Sequence, residues 1–93
     1  MTVTFRVPGP LRTFTDGRAT VVVDGSPATV GEALALLWQV HPGVRDRVLT
    51  ERGEVRQHVN VFLGRQSIRD LGGLGTPVRD GAEVWILPAV SGG

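Results

Sequence analysis

The sequence of 93 residues contains no cysteine and no lysine, and its ten basic residues are all arginine. Without cysteine there is no disulfide, no thiolate nucleophile and no thiolate metal site. Without lysine there is no G-x-x-x-x-G-K-S/T loop, the common cradle for the phosphates of a nucleotide. The glycines at 72–75 are read as turn residues, because Val78 stands where a G-x-G-x-x-G motif needs its last glycine.

Long apolar stretches are also missing, since no run approaches the 18 residues that suggest a membrane-spanning helix. Residues 1–6 lack the apolar segment of a signal peptide. The net charge is only +1, and the arginines are scattered rather than clustered, which argues against a nucleic-acid-binding surface. We therefore expect one cytoplasmic domain that binds neither membrane nor nucleic acid.

Alternating apolar residues predict the strands. Val3, Phe5 and Val7 share one face of a first strand, and the β-branched residues 19–23 predict a second strand antiparallel to it. Residues 57–63 alternate again. A short strand is expected at 66–69, and a last strand at 83–87 after the turn Asp80-Gly81.

The strongest helix signal starts at Thr29, which is followed three residues later by Glu32, as in a capping box. Pro42 disfavours helical angles at His41 and so predicts the end of the helix. A further short helical turn is expected at 44–49. One apolar stripe is predicted to face a sheet and comprises Val30, Ala33, Leu34, Leu37 and Trp38.

The predicted order is strand, strand, helix, strand, short strand, strand. This order favours an α+β domain with a mixed sheet of four or five strands and one main helix packed across one face. The last strand is expected beside the first. We assign residues 1–87 to the domain and residues 88–93 to a flexible tail.

The tail ends in Gly92-Gly93, the narrowest and most flexible end that a chain can have. Extended at roughly 3.3 Å per residue, the tail after Leu87 would reach about 20 Å, enough to enter a buried active site. Its reactive group is the α-carboxylate of Gly93. His41 and His58 are isolated and lack the spacing of metal ligands, so no metal site is expected.

Residues 73–93 resemble the end of the MoaD/ThiS family of ubiquitin-like sulfur carriers, which have the β-grasp fold. The shared pattern is a leucine, an acidic-Gly turn, an apolar strand, a proline, a short apolar link and Gly-Gly. Leu11-Arg12 after the first strand also resembles a family feature. Ala82 departs from an acid found in many members, and Ala89 from a second proline found in some. The tail most resembles the branch that delivers sulfur for cysteine synthesis.

The resemblance implies a carrier that is a co-substrate and not an enzyme. A partner similar to ubiquitin-activating proteins, an adenylyltransferase and sulfurtransferase, would use ATP to adenylate Gly93 and convert it to a thiocarboxylate. The chain itself would bind no cofactor. The residues that would thread the partner's active site are Pro88, Ala89, Val90, Ser91 and Gly92.

Several acceptors fit the resemblance. Sulfur would pass to a cysteine synthase-like enzyme acting on an activated serine such as O-phosphoserine, or to molybdopterin synthase or thiazole synthase. A metalloprotease that releases the product is a further expected partner. Two alternatives of other classes are a protein modifier joined to lysines of its targets through Gly93, and a plain β-grasp binding module.

An apolar docking surface is predicted on the sheet face away from the helix. If Val84 and Ile86 are buried, then Trp85 and Leu87 lie on the opposite face together with Phe62. A loop over one or more of these residues would remove them from the surface, and a register error of one residue would bury Trp85. The polar rim of the surface is predicted to contain Arg12, Arg65 and Arg69.

Overall fold

The computed structural model describes residues 1–88, and these form one five-stranded sheet with its main helix on one face. The strand order is β2-β1-β5-β3-β4. β1 and β5 are parallel, whereas the other neighbouring pairs are antiparallel, so the sheet is mixed as predicted. The strands are β1 (Thr2–Arg6), β2 (Thr20–Asp24), β3 (Val59–Leu63), β4 (Gln66–Ser67) and β5 (Ala82–Pro88).

Two α-helices follow the first hairpin, and short 3-10 helices form most of the connections. Helix α1 spans Val30–Val40 and helix α2 spans Arg45–Val48. The 3-10 helices span Gly9–Thr15, Pro42–Val44, Ile68–Asp70 and Gly73–Gly75.

The core lies between α1 and one face of the sheet. Every other strand residue points into it, which is the period of a half-buried strand. The α1 stripe is buried as predicted, except that Trp38 is only partly buried. Residues at the centre of the core with at most 1% exposure include Val3, Phe5, Leu34, Leu37, Val61, Val84 and Ile86.

The capping box at the start of α1 forms with one variation. The Thr29 Oγ1 atom accepts a hydrogen bond from the backbone N–H of Glu32 at 3.2 Å. The Glu32 carboxylate accepts from the N–H of Ala28 at 3.3 Å, one residue before the cap. Both contacts satisfy amides near the helix start, so the sequence signal for the helix start is confirmed.

The Asp80-Gly81 turn fixes the start of β5 against the start of β1. The Thr2 N–H donates to Asp80 Oδ1 at 2.8 Å, and the Gly81 N–H donates to the Thr2 carbonyl at 2.8 Å. Gly81 has a φ of 79°, a conformation that favours glycine. The turn therefore sets the parallel register in which Arg6 lies beside Trp85.

The short strand predicted at 66–69 is wrong in extent. Of the four residues predicted as strand, only Gln66 and Ser67 pair with β3, and a 3-10 helix begins at Ile68. The Ser67 hydroxyl accepts a hydrogen bond from the Arg69 N–H at 3.3 Å, which turns the backbone away from the ladder. β5 is one residue longer at each end than the strand predicted at 83–87, and its last residue, Pro88, pairs with Val59. Residues 89–93 lie outside the described residues.

Candidate docking face and the origin of the tail

The face of the sheet opposite α1, here called the outer face, carries a continuous row of side chains across five strands. Pairing places Arg6 between Thr20 of β2 and Trp85 of β5, and Trp85 lies opposite Phe62 of β3. Phe62 in turn pairs with Ser67 of β4. This row joins residues from both ends of the sequence.

Trp85 is 37% exposed, whereas its neighbours Val84 and Ile86 are fully buried. The alternation along β5 therefore puts Trp85 and Leu87 on the outer face, as predicted. Phe62 and Leu87 are half-buried. These three residues are brought to one face by the β3–β5 pairing, and their role in docking stays a prediction.

Three contacts hold Arg6 in the row, between Thr20 and Trp85. One terminal nitrogen donates to Thr20 Oγ1 at 2.9 Å. The Nε atom lies 3.4 Å from Glu83 Oε1. The guanidinium carbon lies 5.6 Å from the centroid of the Trp85 ring, within the range of a cation–π contact.

Beside this row lies a depression of about 290 Å³, here called the arginine cleft. Arg12, on the 3-10 helix after β1, forms part of its wall, and its Nε donates to the Val7 carbonyl at 3.2 Å. The cleft is bounded by this 3-10 helix, the end of β1, the start of β2 and the end of β5. Its lining residues are Arg6, Val7, Pro8, Arg12, Ala19, Thr20, Trp85, Ile86 and Leu87.

The three predicted rim arginines occupy different places. Arg12 lies at the Leu87 end of the outer face, in the wall of the arginine cleft. Arg69 also lies near Leu87, because its side chain donates to Asn60 Oδ1 at 2.7 Å and Asn60 pairs with Leu87. Arg65 lies at the opposite end, in the turn between β3 and β4 where the Gly64 N–H donates to the Glu83 carbonyl.

Arg69 also stabilises the fold, a role that the sequence did not suggest. One of its terminal nitrogens also donates to the carbonyls of Arg56 at 3.0 Å and Val59 at 2.9 Å. Together with the Asn60 bond, these contacts tie the segment after β4 to the start of β3. Arg69 is therefore a brace for the sheet edge, and any role in docking would come in addition.

A smaller depression of about 90 Å³ lies where the described chain ends. Leu87 and Pro88 form one side of it, and His58 lines it without a metal-like cluster nearby. The segment predicted to thread a partner starts here with Pro88, which is exposed. The predicted site residues Ala89, Val90, Ser91, Gly92 and Gly93 lie outside the described part of the chain.

The docking surface predicted from the sequence did not include Arg6, Thr20 and Val22, which the structure also places on the outer face. Val22 is 59% exposed at the edge of the sheet. The strand alternation already put Arg6 opposite the core, which was the available signal. Its neighbours depend on the register between β1 and β5, which alternation does not define.

Within residues 1–88, the structure has no group of three or more His, Asp or Glu side chains placed to hold a metal ion. His41 is buried at the end of α1, where its backbone N–H donates to the Leu37 carbonyl at 2.8 Å. None of the helices in this part of the chain is both long enough and apolar enough to cross a membrane.

The mixed five-stranded sheet with one helix across it is the β-grasp fold of ubiquitin-like proteins. Comparison with known proteins identifies the family. The sequence model of the ThiS family matches residues 5–93. The sulfur carrier protein CysO of Mycobacterium tuberculosis is 35% identical over 95 residues, covering 100% of both chains. Small archaeal modifier protein 1 of Haloferax volcanii is 40% identical over 73 residues, covering 78% of each chain.

Solved structures agree with this assignment. A chain of the BexX/CysO complex of Amycolatopsis orientalis superposes with a TM-score of 0.85 at 36% identity, covering 98% of this chain and 99% of that one. The chain belongs to the ThiS family of ubiquitin-like sulfur carriers. Its relatives are carriers and small modifiers, so it is a protein co-substrate and not an enzyme.

Proposed function

We propose that this protein carries sulfur on its last residue, Gly93, as a thiocarboxylate made and used by partner enzymes. The proposed pathway is cysteine synthesis from an activated serine such as O-phosphoserine. The observation that carries the proposal is similarity to a CysO sulfur carrier over the full length of both chains. The family match also extends through Gly93.

The chemistry needs a partner because a carboxylate is a poor acyl donor. Adenylation by the partner would join the Gly93 carboxylate to AMP and release pyrophosphate from ATP. Sulfide would then attack the carbonyl carbon, displace AMP and leave the thiocarboxylate. A partner's persulfide would instead form an acyl disulfide, and a reductant would cleave its S–S bond to leave the thiocarboxylate. The thiocarboxylate sulfur, a nucleophile, would then replace the phosphate group of O-phosphoserine and form a carbon–sulfur bond. Hydrolysis of the link between the product and the Gly93 carbonyl would leave the sulfur on the acceptor and restore the Gly93 carboxylate. In this scheme the chain binds no cofactor and ATP belongs to the partner.

The domain would serve as the handle for the tail. β5 leads directly from the outer face, with Trp85 and Leu87, to Pro88 at its end. A partner that docks on this face would therefore have the tail entering next to its contact surface. The proposed partners are an adenylating sulfurtransferase, a cysteine synthase-like acceptor and a metalloprotease that releases the product. Molybdopterin and thiazole synthases are the alternative acceptors.

Mass spectrometry of the intact protein tests the proposal. After incubation with the activating enzyme, ATP and a sulfur source, we expect the C-terminal fragment to gain the mass difference between sulfur and oxygen. Deletion of Gly93 should abolish the signal. Gly9→Ala is the matched control, because a Cβ added there meets nothing within 4 Å. A sulfur signal that survives the Gly93 deletion would refute the proposal.

The acceptor is tested separately. The purified thiocarboxylate is incubated with the cysteine synthase-like, molybdopterin and thiazole enzymes in turn, and the product is identified for each. Conversion of O-phosphoserine to a cysteine adduct is expected. Product formation with only one of the other two enzymes would move the protein to that branch.

A protein modifier is the second candidate, favoured by the similarity to small archaeal modifier proteins. In that case Gly93 would form an amide with lysines of target proteins. Immunoblots of a cell lysate distinguish the two functions: covalent adducts heavier by one copy of this chain support the modifier. If a variant without Gly92-Gly93 kept full function in cells, the protein would instead be a plain binding module.

A further inference from the structure

We propose that the arginine cleft binds a carboxylate side chain of the partner protein, with an apolar residue next to that carboxylate. The inference rests on the proposed function only in requiring that a partner docks on the outer face. It assigns the cleft and Arg6 a part in recognition, and it names the chemistry of the group that they recognise.

Charge is the first argument. Two guanidinium groups, those of Arg6 and Arg12, line the cleft, and none of its lining residues within 1–88 is acidic. Glu83 lies outside the lining and faces the Nε atom of Arg6. One carboxylate therefore stands against two guanidinium groups, and the site favours a further anionic group.

Preorganisation is the second argument. Arg6 is fixed by Thr20, by Glu83 and by the Trp85 ring, as described above. Arg12 is fixed through its Nε at the Val7 carbonyl, and its terminal nitrogens make no hydrogen bond within residues 1–88. Side chains that are already ordered lose little entropy when they bind, so their donors are suited to a charge-assisted bond.

The size and walls of the cleft decide what kind of anion fits. About 290 Å³ is just under the range of small-molecule and cofactor sites, and the cleft is open to one side. Trp85, Leu87 and Pro8 supply apolar walls beside the two arginines. A free inorganic anion would leave these walls without contacts, whereas an acidic side chain with an apolar neighbour matches both parts.

A titration of the ¹⁵N-labelled full chain tests the inference directly. The probes are acetyl-Leu-Glu-amide, its neutral match acetyl-Leu-Gln-amide, and sodium acetate. We expect the Glu probe alone to shift the Nε–H signals of Arg6 and Arg12 and the indole N–H of Trp85, and to do so less at high salt. No shift, equal shifts with the Gln probe, or equal binding of acetate would each overturn the proposal.

Substitutions make the test quantitative. Arg6→Gln and Arg12→Gln should each weaken Glu-probe binding about tenfold, the loss of one hydrogen bond to a charged group. Arg52→Gln removes the same charge from an exposed turn outside the cleft and should leave binding unchanged. If all three substitutions weakened binding of the Glu probe equally, the binding would depend on net charge and not on the cleft, and the proposal would be overturned. The probe measured on the unsubstituted chain does not depend on whether the variants fold.

The chain's own C-terminal carboxylate is the competing occupant. A variant without residues 89–93 separates the two, because its cleft signals should match those of the full chain if the site receives a partner's carboxylate. Shifted cleft signals in that variant would assign the site to the tail and overturn the proposal. The mass spectrometry of Gly93 is independent of these results, so failure here and failure of the sulfur-carrier function are distinguishable.

Discussion

Phe62 and Trp85 lie directly opposite each other on antiparallel strands β3 and β5, and both face away from the main helix. Directly opposed side chains on one sheet face are close enough to contact each other. The pair forms the centre of the outer face, one row of side chains before Leu87 and the start of the tail. This relationship links the proposed docking surface to the proposed reacting end.

Removing the exposed aromatic ring is expected to impair activation. Trp85→Ala should lower the rate of Gly93 thiocarboxylation about tenfold at limiting partner concentration, because aromatic residues often dominate protein interfaces. The measurement is initial rate by mass spectrometry. Val22→Ala is the matched control, since Val22 is exposed on the same face but at the outermost strand. A rate loss with Val22→Ala as large as that with Trp85→Ala would contradict this assignment.

Two neighbouring residues of β5 on opposite faces of the sheet should contribute differently to stability. Ile86→Ala creates a cavity at a fully buried position and should lower the free energy of unfolding by about 3 kcal/mol. Leu87→Ala changes a half-buried residue on the outer face and should cost about 1 kcal/mol. Urea denaturation measures both. Equal losses would mean that the two faces of β5 are not different in burial.

The start of α1 offers a smaller test. Thr29→Ala removes the oxygen that accepts the Glu32 N–H and should cost about 1 kcal/mol in urea unfolding. Thr29→Ser keeps an acceptor and should cost much less. Thr13→Ala, at an exposed position in the connector after β1, is the control for loss of a threonine. The cap assignment fails if Ser and Ala at position 29 destabilise equally.

Two arginines with the same predicted rim role should behave differently. Arg69→Gln breaks side-chain bonds to Asn60, Arg56 and Val59 and should cost about 2 kcal/mol of unfolding free energy. Arg65→Gln should change it by less than about 0.5 kcal/mol, because the residue is exposed and makes no side-chain hydrogen bond within residues 1–88. Thermal or urea unfolding measures both, and equal effects would contradict the bracing role of Arg69.

The turn before β5 gives a backbone test. Gly81→Ala places a Cβ at a φ of 79° and should destabilise the protein by about 1 kcal/mol. Gly75→Ala is the matched control, since an added Cβ there meets nothing within 4 Å and its φ is not positive. Unfolding midpoints compare the two variants. An unchanged midpoint for Gly81→Ala would show that the turn tolerates side chains.

Local patterns were sufficient for most of the secondary structure. The Thr29–Glu32 spacing located the start of α1, and the alternation around Val84 and Ile86 located the buried face of β5. Two differences are that β3 begins at Val59 and not at residue 57, and that the segment after Gln66 leaves the sheet early. There the Ser67 hydroxyl accepts a hydrogen bond from the Arg69 N–H, which turns the backbone out of the strand. Strand propensity does not take account of such a competing contact.

The candidate site was only partly accessible to the same reasoning. Phe62, Trp85 and Leu87 could be assigned to one face because side chains alternate along a strand. Arg6 could not be placed beside Trp85, because the two residues are far apart in sequence and meet through the parallel pairing of β1 with β5. The bracing contacts of Arg69 were hidden for the same reason.

The sequence by itself determined the family, the order of the elements and the identity of the terminal glycines, because these depend on local spacing and on a motif that is continuous in the chain. Only the tertiary structure decided which arginines stand next to the aromatic row, which of them is a brace, and that two of them line one cleft. Those facts depend on strand register and on hydrogen bonds between distant segments. Such contacts are set by packing the whole domain at once, so they leave no local pattern.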